Sequence, residues 1–249
     1  MKVCVLGASG NVGRNVVAEA IHQGHRVTAA VRKTSKLPSD FLDKVEARVV
    51  DYQSRPSLEA AMSGQDVVVN AAGYVADKGF VALVSRIIEA AQSSLGKDGR
   101  YWMLAGAALL DVPGTNVMTV NYPKIPPVYQ PHRLNYEAVR KTALDWTVLC
   151  PGPMIDAPDG KPTRGIVTST EQWPIDPWPA TAFLPRIMTS LNFLKIVPRM
   201  TVYYEDAAKV IVDNLAHGGP FSRRRVGLAL PAGLRYYKAQ YSAAMSRES

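Results

Sequence analysis

The sequence predicts an α/β fold, a doubly wound parallel sheet with a small C-terminal lobe. Three observations carry this. Short apolar runs alternate with longer amphipathic stretches through residue 150. The runs are apolar throughout instead of alternating with polar residues, as strands buried on both faces of a sheet are. A turn holding three glycines joins the first run to the first amphipathic stretch, where a strand must turn sharply into a helix.

Residues 3–6 are the first expected strand, and residues 11–23 carry Val12, Val16, Val17, Ala20 and Ile21 at helical spacing. Further strands are expected at 26–31, 45–50, 66–71, 101–105 and 146–150, and helices at 57–62, 79–93 and 135–144. The helix at 79–93 rests on Val81, Val84, Ile87, Ile88 and Ala91. Right-handed crossovers then put helices on both faces of the sheet. From residue 109 the texture changes. Residues 109–131 and 155–178 are rich in proline and turn formers and read as loops, with helices expected at 182–196 and 205–217. Glu205 and Asp206 suit the positive start of the last helix. Residues 1–249 read as one domain, with 155–249 contributing much of a substrate lobe.

The 249 residues carry a net charge of +8, with 47% hydrophobic content. A chain this long buries a core without help from disulfides or metal. Its densest cationic run, Arg223-Arg224-Arg225, is too short for a nucleic-acid-binding arm. The charge therefore reads as a basic surface suited to an anionic small molecule, with no nucleic-acid partner. No membrane partner is expected either: no apolar stretch reaches the length of a span, and MKVCVLG reads directly as a strand. Cys4 and Cys150 fall inside apolar runs and read as free thiols packing strands, which suits a cytoplasmic location. Four scattered histidines show no ligand spacing, so no metal site is expected.

The most informative segment is Gly7-Ala8-Ser9-Gly10-Asn11-Val12-Gly13. Gly7 permits the turn out of the strand, Gly10 lets backbone approach a diphosphate, and Gly13 lets the helix pack close to the sheet. The helix start offers free amides and a partial positive charge to an anion. No Gly-Lys-Ser/Thr follows, so this is no mononucleotide P-loop. In its strand–turn–helix setting the motif points to a Rossmann fold that binds a dinucleotide.

The end of the second strand selects which dinucleotide. An acidic residue there would bond the ribose hydroxyls of NAD. This chain instead has Arg32 and Lys33, followed by Thr34, Ser35 and Lys36. Arg32 suits bidentate capture of a 2′-phosphate, so the expected cofactor is NADP(H). Asp51, after the third strand, either accepts from the adenine amino group or caps the next helix. Ala71, Ala72 and Gly73 leave room for ribose and pyrophosphate.

GASGNVG, VRKTSKLP and VVVNAAG, with LAGAALLD at 104–111, ALDWTVLCPGPM at 143–154 and YEDAA at 204–208, resemble the atypical short-chain dehydrogenase/reductase superfamily. The resemblance is to its NAD(P)H-binding branch, which holds NADH-flavin reductases, biliverdin reductase B-like proteins and NmrA-like proteins. It spans about residues 1–154 and 200–230 and implies that Leu104, Ala105, Gly106, Pro151, Gly152 and Met154 line the nicotinamide end of the cofactor. Both segments close strands at their carboxyl ends, where open α/β sheets bind ligands.

The chain departs from the superfamily pattern in three places. There is no Tyr-x-x-x-Lys, since Tyr136 is followed by Arg140 and Tyr122 by Pro126. Ala105-Gly106-Ala107-Ala108 stands where a Ser or Thr is usual. Residues 172–198 are longer than the branch carries and are expected to form a lid or a dimer contact. The candidate catalytic residues are His132, Tyr129 and Tyr136. The resemblance places His132 near a Lys or His of related members, where it would bond the nicotinamide ribose or move a proton near neutral pH; the alternative is a loop histidine at a helix start. Tyr74 and Tyr129 either stack on an aromatic substrate or pack.

The expected function is an NADPH-dependent oxidoreductase passing hydride to a flavin, quinone or similar planar small molecule, which needs no precisely placed protein acid. Two alternatives are a non-catalytic NADP(H) sensor of the NmrA-like kind and a nucleotide-sugar epimerase or dehydratase, which normally needs the Tyr–Lys pair. Either a monomer or a homodimer fits.

Overall fold

The computed structural model describes residues 1–96, 99–175 and 181–236. The expected alternation is present as β1 (Lys2–Leu6), α1 (Asn11–His22), β2 (Arg26–Val31), β3 (Val45–Val49), α2 (Arg55–Met62), β4 (Val67–Asn70), α3 (Phe80–Leu95), β5 (Arg100–Leu104), α4 (Gln130–Val139) and β6 (Asp145–Cys150). The later part adds β7 (Met154–Ile155), β8 (Val167–Thr170), α5 (Arg186–Met200), β9 (Val202–Tyr203), α6 (Tyr204–Val212) and β10 (Arg224–Ala229).

One eight-stranded sheet runs in the order β3-β2-β1-β4-β5-β6-β10-β8. All its pairings are parallel except β8 against β10. This is the Rossmann arrangement, extended beyond β6 by two strands. The all-apolar strands now have a cause. Cys4 and Leu6 point into one apolar cluster with Met62, Ile87 and Tyr101, while Val3 and Val5 point into another with Val16, Trp102 and Ile211. Both faces are covered by helices, so neither set of side chains can be polar. The direction of winding reverses between β1 and β4, which opens a crevice at their carboxyl ends.

Some boundaries differ from expectation. The helix expected at 135–144 is α4, at Gln130–Val139. Pro131 lies in its first turn, where a missing N–H is no loss. The helix stops where the Thr142 hydroxyl donates to the Val139 carbonyl at 2.7 Å. His132 is therefore on the first turn of a helix rather than in a loop.

Two strands of this sheet were hidden. β8 falls in the proline-rich stretch expected to be loop, and β10 begins inside the run of arginines, at Arg224. Arg225 is 5% exposed, so part of the cationic run is core rather than surface. Its guanidinium holds Asp111 at 2.8 Å, Glu171 at 2.7 Å and the Leu109 carbonyl at 2.6 Å. That network ties the sheet edge to the loop after β5. Residues 176–180 of the expected lid or contact segment lie outside the described residues. Among the described residues, no helix is long and apolar enough to cross a membrane.

Candidate functional site

The loop after β1 is shaped by backbone constraint. Gly7 has φ +73°, and a Cβ there would lie 2.7 Å from the Ala71 carbonyl oxygen. A Cβ on Gly13 would lie 2.1 Å from the Gly7 carbonyl oxygen, so α1 packs on the turn only because Gly13 has no side chain. Gly10 is different. Its φ is −80°, which any residue adopts, and a Cβ there would meet only the Gly7 carbonyl oxygen at 3.3 Å. Neither backbone strain nor close packing therefore calls for glycine at position 10. A side chain there would instead fill the space in front of the helix.

That helix start fits an anion. Gly10 is its cap, no side chain bonds its first amides, and its first turn holds no acidic residue. Natural helices usually carry a capping oxygen here. The free amides at Asn11 and Val12 and the dipole are thus left for a ligand phosphate.

A cleft of about 400 Å³ opens beside this helix start at the β1–β4 switch point. It brings together Gly10, Asn11 and Val12 from the loop, Ala71, Ala72 and Gly73 after β4, Leu104 and Ala105 at the end of β5, Met154 and His132. These are residues the sequence singled out from five separate segments. The cleft walls also include Asn70, Tyr74, Val75, Phe80, Val84 and Tyr204. Among the described residues, no Asp, Glu, Lys or Arg lines it.

The segments expected at the nicotinamide end are held by backbone bonds. The Ala105 amide donates to the Leu149 carbonyl at 2.8 Å, and the Ala107 amide to the Pro151 carbonyl at 2.7 Å. The Gly152 amide donates to the Met200 carbonyl at 3.1 Å. Gly106 faces His132 and Tyr129, which a Cβ on it would approach to 3.6 and 3.9 Å.

Other expected residues lie apart from the cleft walls. Ala8 is buried under the loop and Ser9 is exposed. Arg32 and Lys33 are exposed at the carboxyl end of β2. Asp51 is exposed, and its carboxylate accepts the Gln53 amide at 2.9 Å, while Ser54 is the residue that caps α2. Tyr129 is half-buried, and burial chiefly, with Tyr74 beside it, raises its pKa. Tyr136 does not reach the cleft. It is 7% exposed, packs edge-on against Trp146 at 5.7 Å, and lies under the Arg225 guanidinium at 5.0 Å.

Sequence reasoning missed Tyr52. Its hydroxyl accepts the Gly7 amide at 2.8 Å and donates to the Ala30 carbonyl at 3.3 Å, pinning the glycine loop to β2. Burial pushes its pKa up to about 12. Tyr204 was quoted only within a motif, yet it lines the cleft and its hydroxyl accepts from the Asn11 side chain at 3.4 Å. No local pattern marks either residue, because each acts through partners at least 22 positions away.

His132 has its ring edge against Phe80 with centroids 5.5 Å apart, and its Nδ1 is buried with no hydrogen-bond partner. Burial pushes its pKa down to about 4. It is thus neutral near neutral pH and does not serve there as a charged acid. The folded protein refuses a proton that the unfolded chain accepts below the ordinary value of 6.5. Its neutral form is fully compatible with folding above that value, and stability falls as pH drops from 6.5 toward 4. Urea unfolding at pH 7 and pH 5 should show wild type losing roughly 1–2 kcal/mol more than His132→Gln. Equal losses would rule out this assignment.

A second depression of about 710 Å³ lies at the opposite, amino ends of β1, β2 and β3, near Lys2, Arg26 and Glu46. It gathers none of the candidate residues. Among the described residues, no cluster of His, Cys, Asp and Glu is placed to hold a metal ion. Cys4 and Cys150 are buried, and burial raises both thiol pKa values, so both pack as thiols.

Comparison with known proteins agrees with this geometry. The family model described as NAD(P)H-binding matches residues 7–174. The Bacillus subtilis protein YwnB is 29% identical over 175 residues, covering 66% of this chain and 76% of that protein. The Aspergillus flavus protein named oxidoreductase aprR is 29% identical over 161 residues, covering 63% of this chain and half of that protein. A Streptococcus pneumoniae structure, described as a candidate NADH-flavin reductase, superposes with a TM-score of 0.70 at 24% identity, covering 92% of this chain and 99% of that one.

Proposed function

This chain belongs to the NAD(P)H-binding family, and from that premise we propose that it is an NADPH-dependent reductase that passes hydride to a flat acceptor such as a flavin or quinone. The observation that carries the reading is the cleft itself. A diphosphate cradle at one end meets an apolar and aromatic wall at the other, and among the described residues no charged side chain stands between them. Such a wall suits two stacked rings and excludes water. Among the described residues, no Lys lines the cleft to pair with a tyrosine as an acid for reduction of an isolated ketone.

When bound, NADPH supplies the hydride. The amides of Asn11 and Val12 would hold its diphosphate, and Ala71, Ala72 and Gly73 would give its ribose room. Leu104, Ala105, Gly106, Pro151, Gly152 and Met154 would set the nicotinamide against the cleft wall. Tyr74 and Phe80 offer the acceptor ring an aromatic border. His132 is neutral and offers a hydrogen bond rather than a charge. A flavin or quinone takes the hydride into its ring system, and the accompanying proton comes from solvent, so His132 need not ionise.

The test is stopped-flow oxidation of NADPH with FMN, riboflavin and quinones under anaerobic conditions. Acceleration over buffer with at least one acceptor is expected. Tight binding of NADP⁺ with no turnover on any of them would replace this reading with that of a redox sensor.

The phosphate preference rests on Arg32 and Lys33 and on the lack of a carboxylate at the tip of β2. Arg32→Ala should lower kcat/KM for NADPH by about tenfold or more, the size of a lost charge-assisted bond, and leave NADH nearly unchanged. An equal loss with both coenzymes would mean that Arg32 does not read the extra phosphate.

A further inference from the structure

The surface carries one apolar feature that the cleft does not use. α5 presents Ile187, Met188, Leu191 and Leu194 to solvent, each 46–49% exposed, and Phe183 just before it is 89% exposed. The same helix buries Phe193, Ile196 and Met200 together with Thr189 and Ser190, so it is apolar on both its inner and its outer face. An ordinary surface helix keeps its outer face polar. Val117, 37% exposed, lies in the neighbouring loop, which the Arg186 guanidinium joins to α5 by donating to the Asn121 carbonyl at 3.1 Å and lying over the Tyr122 ring at 5.0 Å. The five exposed side chains from Phe183 to Leu194 form a patch on the order of the 300–600 Å² that marks a functional apolar surface.

Against the expectation from sequence that no membrane is involved, we propose that this face docks on a membrane surface rich in anionic phospholipid. Charge chooses the occupant. Residues 112–136 and 181–203 contain no Asp or Glu, while Lys124, Arg186 and Lys195 are exposed within them. The whole chain is also cationic, at +8. Among the described residues of these two segments, two copies meeting through this face would bring cations together with no carboxylate to pair them. The patch is one face of a single helix preceded by an exposed phenylalanine, and neither cleft described above is lined by these residues. An apolar ridge edged by basic side chains is the form that lies in the headgroup boundary of a bilayer, with lipid phosphates supplying the missing negative charge.

The full chain should therefore sediment with vesicles of phosphatidylcholine in which a third of the lipid is phosphatidylserine. It should not sediment with phosphatidylcholine alone, and high salt should release it. The double variant Ile187→Glu, Leu191→Glu should weaken vesicle binding at least about tenfold. Both positions are exposed, so circular dichroism and NADPH binding should be unchanged, which separates loss of docking from loss of fold. Equal binding to neutral vesicles, no binding to anionic ones, or a variant that binds like wild type would overturn the proposal. So would self-association in ultracentrifugation that the double variant abolishes, since that assigns the face to a second copy.

Discussion

Gly10→Val is expected to weaken dinucleotide binding at least about a hundredfold while the protein stays folded. The loss is the cost of pushing a diphosphate off free helix amides, where several charge-assisted bonds of about 1.5–3 kcal/mol each are made. The fold should survive because the protein places only one atom within van der Waals reach of a Cβ at position 10. Its φ of −80° is ordinary for valine. Losing a glycine cap for an apolar residue costs about 1 kcal/mol, which lowers Tm by about 2–4 °C in a chain of this size. Gly13→Ala should do the opposite. Its Cβ would lie 2.1 Å from the Gly7 carbonyl oxygen, so helix and turn must separate, and the damage appears first in Tm. Calorimetric titration with NADP⁺ beside thermal unfolding reads both effects. A Gly10→Val protein that titrates like wild type would remove the anion site from this helix.

Arg225→Met should cost about 3–5 kcal/mol of stability, a drop in Tm on the order of 10 °C. The arginine side chain is 6% exposed, and that of Asp111, which it grips at 2.8 Å, is 11% exposed. Removing the cation leaves a carboxylate in the core with its counter-charge gone, and frees Glu171 and the Leu109 carbonyl as well. The desolvation of that orphaned charge, more than the lost attraction, sets the size of the effect. Asp111→Asn combined with Arg225→Met should recover part of the loss, because no net charge then remains on that pair. Urea unfolding of the single and double variants measures this. A single variant within about 1 kcal/mol of wild type would mean that water or another cation reaches Asp111.

Much of the candidate cofactor site was legible in the sequence. The glycine turn, the small residues Ala71 to Gly73 and the segment ending at Met154 are each contiguous, and each follows a strand read from its apolar run. Once parallel order is assumed, every such segment must come to the carboxyl edge of the sheet, and there they line one cleft. Tyr136 shows where this reasoning stops. A helical tyrosine before a strand suits either catalysis or packing, and only the presence of Trp146 and Arg225 around its ring decides for packing. His132 needed its helix placed correctly and its burial known before its charge could be stated.

The alternation of apolar strands with amphipathic helices, and the turn that lets an anion approach, are properties of neighbouring residues, so reading along the chain was enough to find them. β10, Tyr52 and the exposed ridge of α5 are different. Arg225 looks like surface until Asp111, 114 positions away, is found to neutralise it. The Tyr52 hydroxyl matters only because Gly7 folds back onto it. The apolar residues of α5 look like core until the sheet turns their face outward. Long-range charge pairing, hydrogen bonding and burial set these roles, and they exist only once distant parts of the chain have met.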